Sequence, residues 1–369
     1  MFPFFSYIHL TFPLLIFFFS SSLLFLPLSS ASDYPDSSTQ LIVDVLPNNT
    51  WHSLMRFLDA GKGNRVDGMA ELKRYFRRFG YLSVPLENNS FNDFFDDEFE
   101  AALRSYQKNL GLSETGKLDH DTMTVIVSPR CGVSDFPGAG GNHALKTTRH
   151  FAYFYGEPRW VRSPPMLLTY AFSPGNVIDY VSLEDVTTAF QRAFSRWSAV
   201  IPVNFTEAEG YSSADIKIGW YSGDHGDGEA FDGVLGVLAH AFSPENGRFH
   251  LDAAERWAVD FTAEKSKVAV DLESVATHEI GHVLGLAHST VKEAIMYPSL
   301  SPRTKKVDLR RDDVVGIQAL YGSNPNYRYN ARLESDMSSG RGMDLERRKG
   351  LMKWSATMFI LACIFSLGL

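Results

Sequence analysis

The chain contains very little cysteine: only Cys131 and Cys363 occur among its 369 residues. Two cysteines cannot build a disulfide framework, so we expect core packing and bound metals to stabilise the fold. The chain also lacks any long basic run, and its formal net charge is -8, from 35 Lys and Arg against 43 Asp and Glu. This charge pattern does not indicate nucleic-acid binding.

The first 31 residues are almost entirely apolar or hydroxylic, and they end in Ser29-Ser30-Ala31. An apolar run followed by small residues is typical of a secretory signal peptide, so we predict that residues 1–31 are removed during secretion. Lys and Arg are absent before the apolar run, which leaves an uncleaved membrane anchor as the alternative.

A second apolar run of 16 residues spans Trp354–Leu369. A bilayer span needs about 20 residues, so this run is short for one. It follows a polar, basic spacer at 341–353 and the small residues 338–340. This order is typical of a glycosylphosphatidylinositol (GPI) anchor signal. We therefore predict attachment near Ser338, removal of residues 341–369 and anchoring in the outer leaflet of the plasma membrane; a short membrane span is the alternative.

The most informative motif is H-E-x-x-H-x-x-G-x-x-H at residues 278–288. His278 and His282 lie one helical turn apart, so both imidazoles can reach one ion. Glu279 lies where a carboxylate can act on a water molecule at that ion. Gly285 allows the chain to leave the helix, and the turn brings His288 in as a third ligand. Three protein ligands leave one open position, which is typical of a catalytic zinc site.

Met296 follows this motif in the sequence Ala-Ile-Met-Tyr-Pro. A methionine shortly after the motif is expected to pack beneath the metal, although an ordinary core methionine gives the same pattern. A solvated pair of helix histidines is the alternative for the motif itself. The extended motif and the methionine together favour the zinc site, with Glu279 as its catalytic base.

A second motif, P-R-C-G-V-S-D, lies at residues 129–135. With both motifs the chain resembles the metzincin peptidases, and among them the matrix metalloproteinases, whose cysteine switch reads P-R-C-G-x-P-D. A single peptidase domain without a propeller and the GPI-like signal make it most similar to the plant-type members. Ser134 stands where the family has proline. The resemblance implies that Cys131 occupies the fourth zinc position of a latent form, and that an Arg130–Asp135 pair holds the loop. A buried, unreactive cysteine is one alternative for Cys131. Half of a disulfide is another, which the position of Cys363 in the apolar C-terminal run argues against.

The resemblance covers about Trp51 to Gly322 and implies an α+β fold. A twisted mixed sheet with three helices is expected to form the peptidase domain, after a small helical propeptide that resembles peptidoglycan-binding modules. The expected segments are a signal peptide (1–31), the propeptide (32–142), the catalytic domain (143–322), a linker (323–340) and the removed C-terminal signal (341–369). Propeptide cleavage is expected between Gly138 and Arg149, and no hemopexin-like propeller is expected after Gly322.

Apolar residues spaced three or four apart predict the helices, and short apolar runs predict the strands. In the propeptide, helices are predicted near Trp51–Leu58, at 69–79, at 96–110 and after Asp119. In the catalytic domain, the pattern predicts strands at 167–172 and 214–220 and helices at 183–200, 268–286 and 312–321.

A loop dense in His, Asp and Gly follows Trp220. Three histidines and one aspartate can close a tetrahedral site without an open position, which is the structural kind of zinc site. The resemblance assigns this role to His225, Asp227, His240 and His250. It also implies a calcium site, whose oxygen donors suit that ion, at Asp232, Gly233, Asp252 and Glu255. A polar surface loop is the alternative, and Arg248 argues against a further calcium site at Asp215.

We expect an extended peptide substrate to pair with an edge segment at 233–238, because peptides add to exposed sheet edges. Residues 297–301 are expected to wall an apolar pocket for the residue after the cut, with leucine as the occupant that the family implies. Sequons predict glycosylation at Asn48, Asn88 and Asn204.

The predicted function is therefore a secreted, cell-surface zinc endopeptidase, made as a latent zymogen and acting as a monomer on extracellular proteins. A non-catalytic, zinc-containing binding protein of the cell surface is the alternative. Such a protein would often lack Glu279, which is present here.

Overall fold

The computed structural model of the chain describes residues 51–83, 90–136 and 151–328. The predicted signal peptide, the GPI signal with Ser338, the sequons at Asn48 and Asn88, and the expected propeptide cleavage site lie outside these ranges. Within the described ranges, no helix is long and apolar enough to cross a membrane.

A helical unit comes first along the chain. A short 3-10 helix (His52–Phe57) is followed by α1 (Met69–Arg78), α2 (Asp97–Asn109) and α3 (His120–Ile126). The carboxylates of Asp96 and Asp119 accept hydrogen bonds from backbone N–H groups in the first turns of α2 and α3, and these caps fix where both helices begin. The aromatic stripes of α1 and α2 pack into one core with Met123 and Ile126 of α3, as their spacing predicts.

A six-stranded mixed sheet comes next; the second unit supplies five of its strands, and the end of the helical unit supplies the sixth, β1. Its strands are β1 (Arg130–Cys131), β2 (Met166–Phe172), β3 (Val203–Glu207), β4 (Ile216–Tyr221), β5 (Val237–Ala241) and β6 (Arg248–Asp252). Their order across the sheet is β1-β5-β6-β4-β2-β3, and each neighbouring pair is parallel except β5 and β6. A separate ladder joins β7 (Trp257–Ala258) to β8 (Val270–Asp271).

Three helices complete this unit: α4 (Leu183–Val200), α5 (Leu272–Val283) and α6 (Arg311–Tyr321). α4 buries Phe190, Phe194 and Trp197 in the core, as the sequence pattern predicts. α5 is buried along its whole length, so it lies at the centre of the unit. The mixed sheet, the three helices and the preceding helical unit confirm the predicted α+β fold.

α5 is shorter than the helix predicted at 268–286. It begins at Leu272 because the Asp271 carboxylate accepts a hydrogen bond from the Ser274 N–H at 2.8 Å, and because residues 270–271 pair as β8. It ends at Val283, shortly before Gly285, whose φ of 107° lies in the left-handed region that favours glycine. The predicted strand at 214–220 is also displaced, since β4 spans 216–221.

The helical unit docks on one edge of the sheet. β1, which follows α3, pairs with β5 and so covers the edge predicted to receive substrate. Only the end of the predicted segment 233–238 is a strand, because a hydrogen bond from the Gly236 N–H to the Gly233 carbonyl closes a turn just before β5. Phe231 and Tyr297 of the second unit pack into the core of the helical unit.

Candidate metal centre and active site

Three histidines converge at the end of α5. His278 and His282 lie on one face of this helix, and the turn at Gly285 brings His288 back toward them. The Nε2 atoms of His278 and His282 are 3.1 Å apart, and those of His282 and His288 are 3.2 Å apart. Three ring nitrogens pointing at one place suit a transition-metal ion such as zinc.

Each ring is oriented by a hydrogen bond from its other nitrogen. The Nδ1–H of His278 donates to the Ile295 carbonyl, and that of His282 donates to the Leu286 carbonyl, both at 2.7 Å. The Nδ1–H of His288 donates to the Asp135 carboxylate at 2.7 Å. These bonds leave the Nε2 lone pairs available for a metal, as ligand histidines require.

Burial also favours the neutral, metal-binding form of these histidines. All three are buried, and burial lowers the pKa of His278, His282 and His288 below the usual value. Neutral imidazole is the form that coordinates zinc. The donor set and its electrostatics therefore fit the metal that the sequence motif implies.

Glu279 is fully buried beside the histidine cluster. Burial raises the pKa of its carboxyl to about 8, and interaction with the Cys131 thiol lowers it in part. A carboxyl with a raised pKa can exchange protons near neutral pH, which is the property required of a general base and acid.

Cys131 of the helical unit reaches into the same cluster. Its Sγ lies 3.4 Å from Nε2 of His282, and the ligand atoms of Cys131, His278, His282 and His288 all lie within 4.8 Å of one another. The Val133 N–H also points at this sulfur, at 3.4 Å. The sulfur thus lies where a fourth ligand would complete a tetrahedral site.

The loop that carries Cys131 is held by buried charges, as the Arg130–Asp135 prediction requires. Nη2 of Arg130 donates to Oδ1 of Asp135 at 2.5 Å, and neither side chain is exposed to solvent. The guanidinium also lies over the ring of Phe79, 3.6 Å from its centre. Ser134 accepts a weak hydrogen bond from the Phe136 N–H at 3.2 Å and leaves this arrangement intact.

Met296 lies directly beneath α5, as predicted for a methionine after the motif. A Cβ at Gly281 would meet its Sδ at 2.2 Å, so only glycine allows this approach. The Asp313 carboxylate holds the turn by accepting the N–H groups of Ile295 and Met296, at 2.9 and 3.0 Å. Sequence reasoning missed Asp313, because an acidic residue at the start of a helix usually indicates only a cap.

The second predicted zinc set also comes together. Oδ2 of Asp227 lies 2.8 Å from Nε2 of His225, Nε2 of His240 and Nδ1 of His250. Burial lowers the pKa of His240 and His250 to about 4, which keeps both rings neutral. All four protein ligands are present without an open position, and such a set fits a structural zinc.

The residues of the predicted calcium site surround a tight turn at 233–236. The Asp252 carboxylate accepts the Gly233 N–H at 3.1 Å, and Glu255 accepts the Leu235 N–H at 2.6 Å. Asp232 accepts the Val237 N–H at 2.7 Å. Gly233 has a φ of 93°, in the left-handed region that favours glycine, so the turn requires glycine at this position.

The negative charges of the Asp232, Asp252 and Glu255 carboxylates are not fully neutralised by nearby cations. Burial raises the pKa of Asp232, Asp252 and Glu255, and the negative charge of Asp232 raises that of the other two further. Oε2 of Glu255 has no hydrogen-bond partner among the described residues. A cation would neutralise this cluster, so the residues fit calcium. Asp215, by contrast, is bound to Thr169 and Arg162.

A small cavity of about 30 Å³ adjoins His278 and Glu279. As predicted, the segment after Met296 forms one wall, with Tyr297, Pro298, Ser299 and Leu300 lining it. Cys131 also lines this cavity, so the helical unit contributes to its wall. The remaining predicted site residue, Asn204, is exposed on β3, the strand at the opposite edge of the sheet.

The chain matches two families of known proteins. The Matrixin family (Peptidase_M10) matches residues 159–322, and a peptidoglycan binding domain family matches residues 65–126. Metalloendoproteinase 1-MMP of Arabidopsis thaliana is 55% identical over 306 residues, which cover 83% of this chain and 82% of that protein. Metalloendoproteinase 4-MMP of the same plant is 54% identical over 297 residues, covering 80% and 84%.

Human matrix metalloproteinase-20 is 40% identical over 224 residues, which cover 60% of this chain and 41% of the human protein. Matrixins use catalytic and structural zinc together with calcium, and the two buried ligand sets provide places for both zinc ions. The chain therefore belongs to the matrixin family and is a zinc-dependent metalloendopeptidase.

Proposed function

We propose that the protein is made as a latent zymogen of a secreted zinc endopeptidase that acts at the outer cell surface. The observation that carries this proposal is the position of Cys131, whose sulfur lies among the three histidines. A ligand supplied by the helical unit completes the metal site and excludes water from it.

The helical unit blocks substrate as well as water. β1 occupies the edge of β5, which is the edge that an extended peptide would use. The Arg130–Asp135 pair keeps the loop folded against the site, with both side chains buried. Removal of this unit would therefore open the metal position, the strand edge and the pocket together.

In the active form, His278, His282 and His288 hold the zinc. Zinc held by these residues would supply a Lewis acid for a water molecule and for the scissile carbonyl. Glu279 accepts the proton of the attacking water and then donates it to the leaving amine. The position of Glu279 supports this role, because it follows the ligand His278 on α5 and is buried beside the histidine cluster.

The substrate is an extended segment of an extracellular protein. Its backbone pairs with β5, and the side chain after the scissile bond enters the cavity lined by Tyr297 to Leu300. The apolar walls favour an apolar residue such as leucine there. The signal-like start, the GPI-like end and the sequons support secretion, glycosylation and anchoring in the outer leaflet.

Replacing Cys131 by serine tests the proposed latency. The intact Cys131→Ser chain should cleave a quenched peptide with leucine after the scissile bond, because a neutral serine hydroxyl is a much weaker zinc ligand than a thiolate. The matched control, in a recombinant chain that keeps residues 341–369, is Cys363→Ser, which removes the other cysteine and should stay latent. An inactive, folded, zinc-containing Cys131→Ser chain would contradict the switch.

A further inference from the structure

A second cavity, of about 450 Å³, shares no lining residue with the metal centre. It lies where β2, β3 and β4 end, and the first turn of α4 forms another side. These three strands are neighbours and run parallel, so their carboxyl ends meet at one edge of the sheet. Ligands of open sheets with parallel strands bind at this end, and ligand pockets measure about 300–1,000 Å³. We refer to it as the strand-end cavity.

The strand-end cavity is a fixed feature of the second unit. The Ser173 N–H donates to the Ile218 carbonyl at 2.7 Å, and the Trp220 N–H donates to the Asn176 carbonyl at 2.9 Å. These bonds attach the loop after β2 to β4, so the wall that this loop forms is held in place. Among the described residues, the lining belongs entirely to the second unit, and the cavity is therefore present in the latent chain.

The walls are largely apolar, and some of their side chains lack an apolar neighbour. Val177 and Leu183 line the cavity and are 51% and 64% exposed. Trp220 also lines it and is buried, yet its Nε1–H has no hydrogen-bond partner among the described residues. Buried donors are nearly always satisfied. A bound molecule with an apolar part and a hydrogen-bond acceptor would meet both needs.

The surroundings of the cavity are acidic. Residues 171–186 and 207–211, which supply nearly all of the lining, contain five Asp or Glu residues and neither Lys nor Arg. Glu207 and Glu209 line the cavity itself, and both are exposed. Arg256 stacks on a tyrosine of the same loop, but its charge is paired with Glu264 at 2.6 Å. The cavity therefore favours an occupant with positive charge.

We propose that the strand-end cavity binds a second segment of the protein substrate, in which a large apolar side chain is flanked by Lys or Arg. The apolar side chain fills the cavity beside Val177 and Leu183, and the flanking cations pair with Glu207 and Glu209. A backbone carbonyl of the segment supplies the acceptor for Trp220. This inference rests on the proposed cleavage of extracellular proteins.

The second segment lies outside the stretch that is cut. Its cavity is at β4, β2 and β3, whereas the scissile stretch pairs with β5, and β6 separates β5 from β4. Exposed ion pairs contribute little affinity by themselves. The cavity therefore acts by raising the local concentration of a substrate that is held at both places.

Peptide binding to the intact chain is the first test, and it does not depend on catalysis. All chains carry Glu279→Gln, and fluorescence anisotropy follows a labelled, end-capped peptide Gly-Lys-Phe-Lys-Gly. The parent should bind it, and binding should weaken as salt rises. Peptides with Glu in place of Lys, or Ser in place of Phe, should bind several-fold more weakly.

Variants of the cavity locate the binding. The double change Glu207→Gln and Glu209→Gln should weaken binding about fivefold, because two exposed ion pairs are lost. Val177→Ser should weaken it several-fold through lost apolar contact. Glu157→Gln is the matched control, since Glu157 is exposed and does not line the cavity. No binding by the parent, or equal binding by the parent and both cavity variants, would overturn the proposal.

Cleavage by the processed chain, with Glu279 intact, tests the role of the cavity in substrate selection. A quenched peptide with leucine after the scissile bond is used alone or joined to Lys-Phe-Lys by about 20 Gly and Ser residues, roughly 25 Å in root-mean-square length. The joined substrate should have a several-fold lower KM and the same kcat. This gain should disappear in the Glu207→Gln and Glu209→Gln variant and persist in Glu157→Gln.

The two experiments separate the ways of failing. Peptide binding at the cavity without any gain in KM would contradict the role in substrate selection. If the processed parent cuts neither substrate although the intact chain binds the peptide, the proposed peptidase function fails and the binding site stands.

Discussion

Single buried residues link the helical unit to the metal centre, and Asp135 is the clearest example. Its Oδ1 accepts hydrogen bonds from Arg130 at 2.5 Å and from Nδ1 of His288 at 2.7 Å. Its Oδ2 accepts a hydrogen bond from the Tyr81 hydroxyl at 2.7 Å. Asp135 therefore orients a predicted zinc ligand as well as the switch loop, and removal of the helical unit would take this orienting group away.

Asp135→Asn should accelerate zinc loss from the intact chain. The amide is a weaker acceptor than the carboxylate for the His288 N–H, and a hydrogen bond to a charged group contributes about 1.5–3 kcal/mol. Zinc transfer to a coloured chelator should therefore be roughly tenfold faster. Asp121→Asn, an exposed change on α3, is the control and should release zinc at the parental rate. Equal rates for both variants would show that Asp135 has no such role.

Of the hydrogen bonds that Asp135 accepts, the sequence predicts the one from Arg130 but not the one from His288. The resemblance of the switch motif to that of the family implies the pair of Arg130 and Asp135. The bond from His288 to Asp135 joins residues 153 positions apart, and no periodicity or spacing indicates it. No local pattern predicts the hydrogen bonds from Ile295 and Met296 to Asp313 either, because these residues belong to different elements.

At the scale of elements, α4 and α5 are joined by one buried carboxylate. Glu273, in the first turn of α5, contacts Arg192 at 2.9 Å and Arg196 at 2.6 Å, both on α4. Lys305 approaches the same carboxylate at 2.9 Å. Burial raises the pKa of Glu273, but these three cations outweigh it and lower the pKa below the usual value.

Glu273→Gln should destabilise the fold by about 2 kcal/mol at neutral pH, because three cations lose a charged acceptor. The folded-state pKa of Glu273 is depressed, so its stabilisation is present above the unfolded-state pKa of about 4.3 and is lost as pH falls below it. The difference in unfolding free energy between variant and parent should therefore shrink below about pH 4.

Urea unfolding at pH 7 and at pH 3.5 measures this difference. Glu184→Gln is the control, since Glu184 is exposed in the first turn of α4. A loss of stability that is the same at both pH values would indicate a packing effect rather than the ion pairs.

The first and last residues of a helix were predictable where a cap or an amphipathic pattern in the sequence marks them. α4 spans 183–200 as predicted, because its aromatic stripe has helical spacing and Ser182 caps it. α5 was predicted too long because its residues are buried on every side, so no amphipathic pattern reveals its ends. Its start depends on Asp271 and on the pairing of β8 with β7, which joins residues distant in sequence.

At the scale of the whole molecule, the helical unit closes three features of the catalytic unit at once. β1 covers β5, Cys131 reaches the histidines, and Arg78 reaches the segment at Asp232. The sequence predicted the second of these from the switch motif. The pairing of β1 with β5 and the contact of Arg78 with the segment at Asp232 depend on how the two folded units meet. Residue spacing within either unit does not predict such contacts.

The most direct test of the account compares intact chain with chain cleaved between Gly138 and Arg149, each with its zinc content measured. We expect only the cleaved form to hydrolyse a quenched peptide with leucine after the scissile bond. A chelator should abolish that activity and added zinc should restore it. Cleaved Glu279→Gln should retain zinc and lose about 10²–10⁴-fold in rate. Equal activity of intact and cleaved forms, or a folded, zinc-loaded cleaved form that cuts no peptide, would contradict the account.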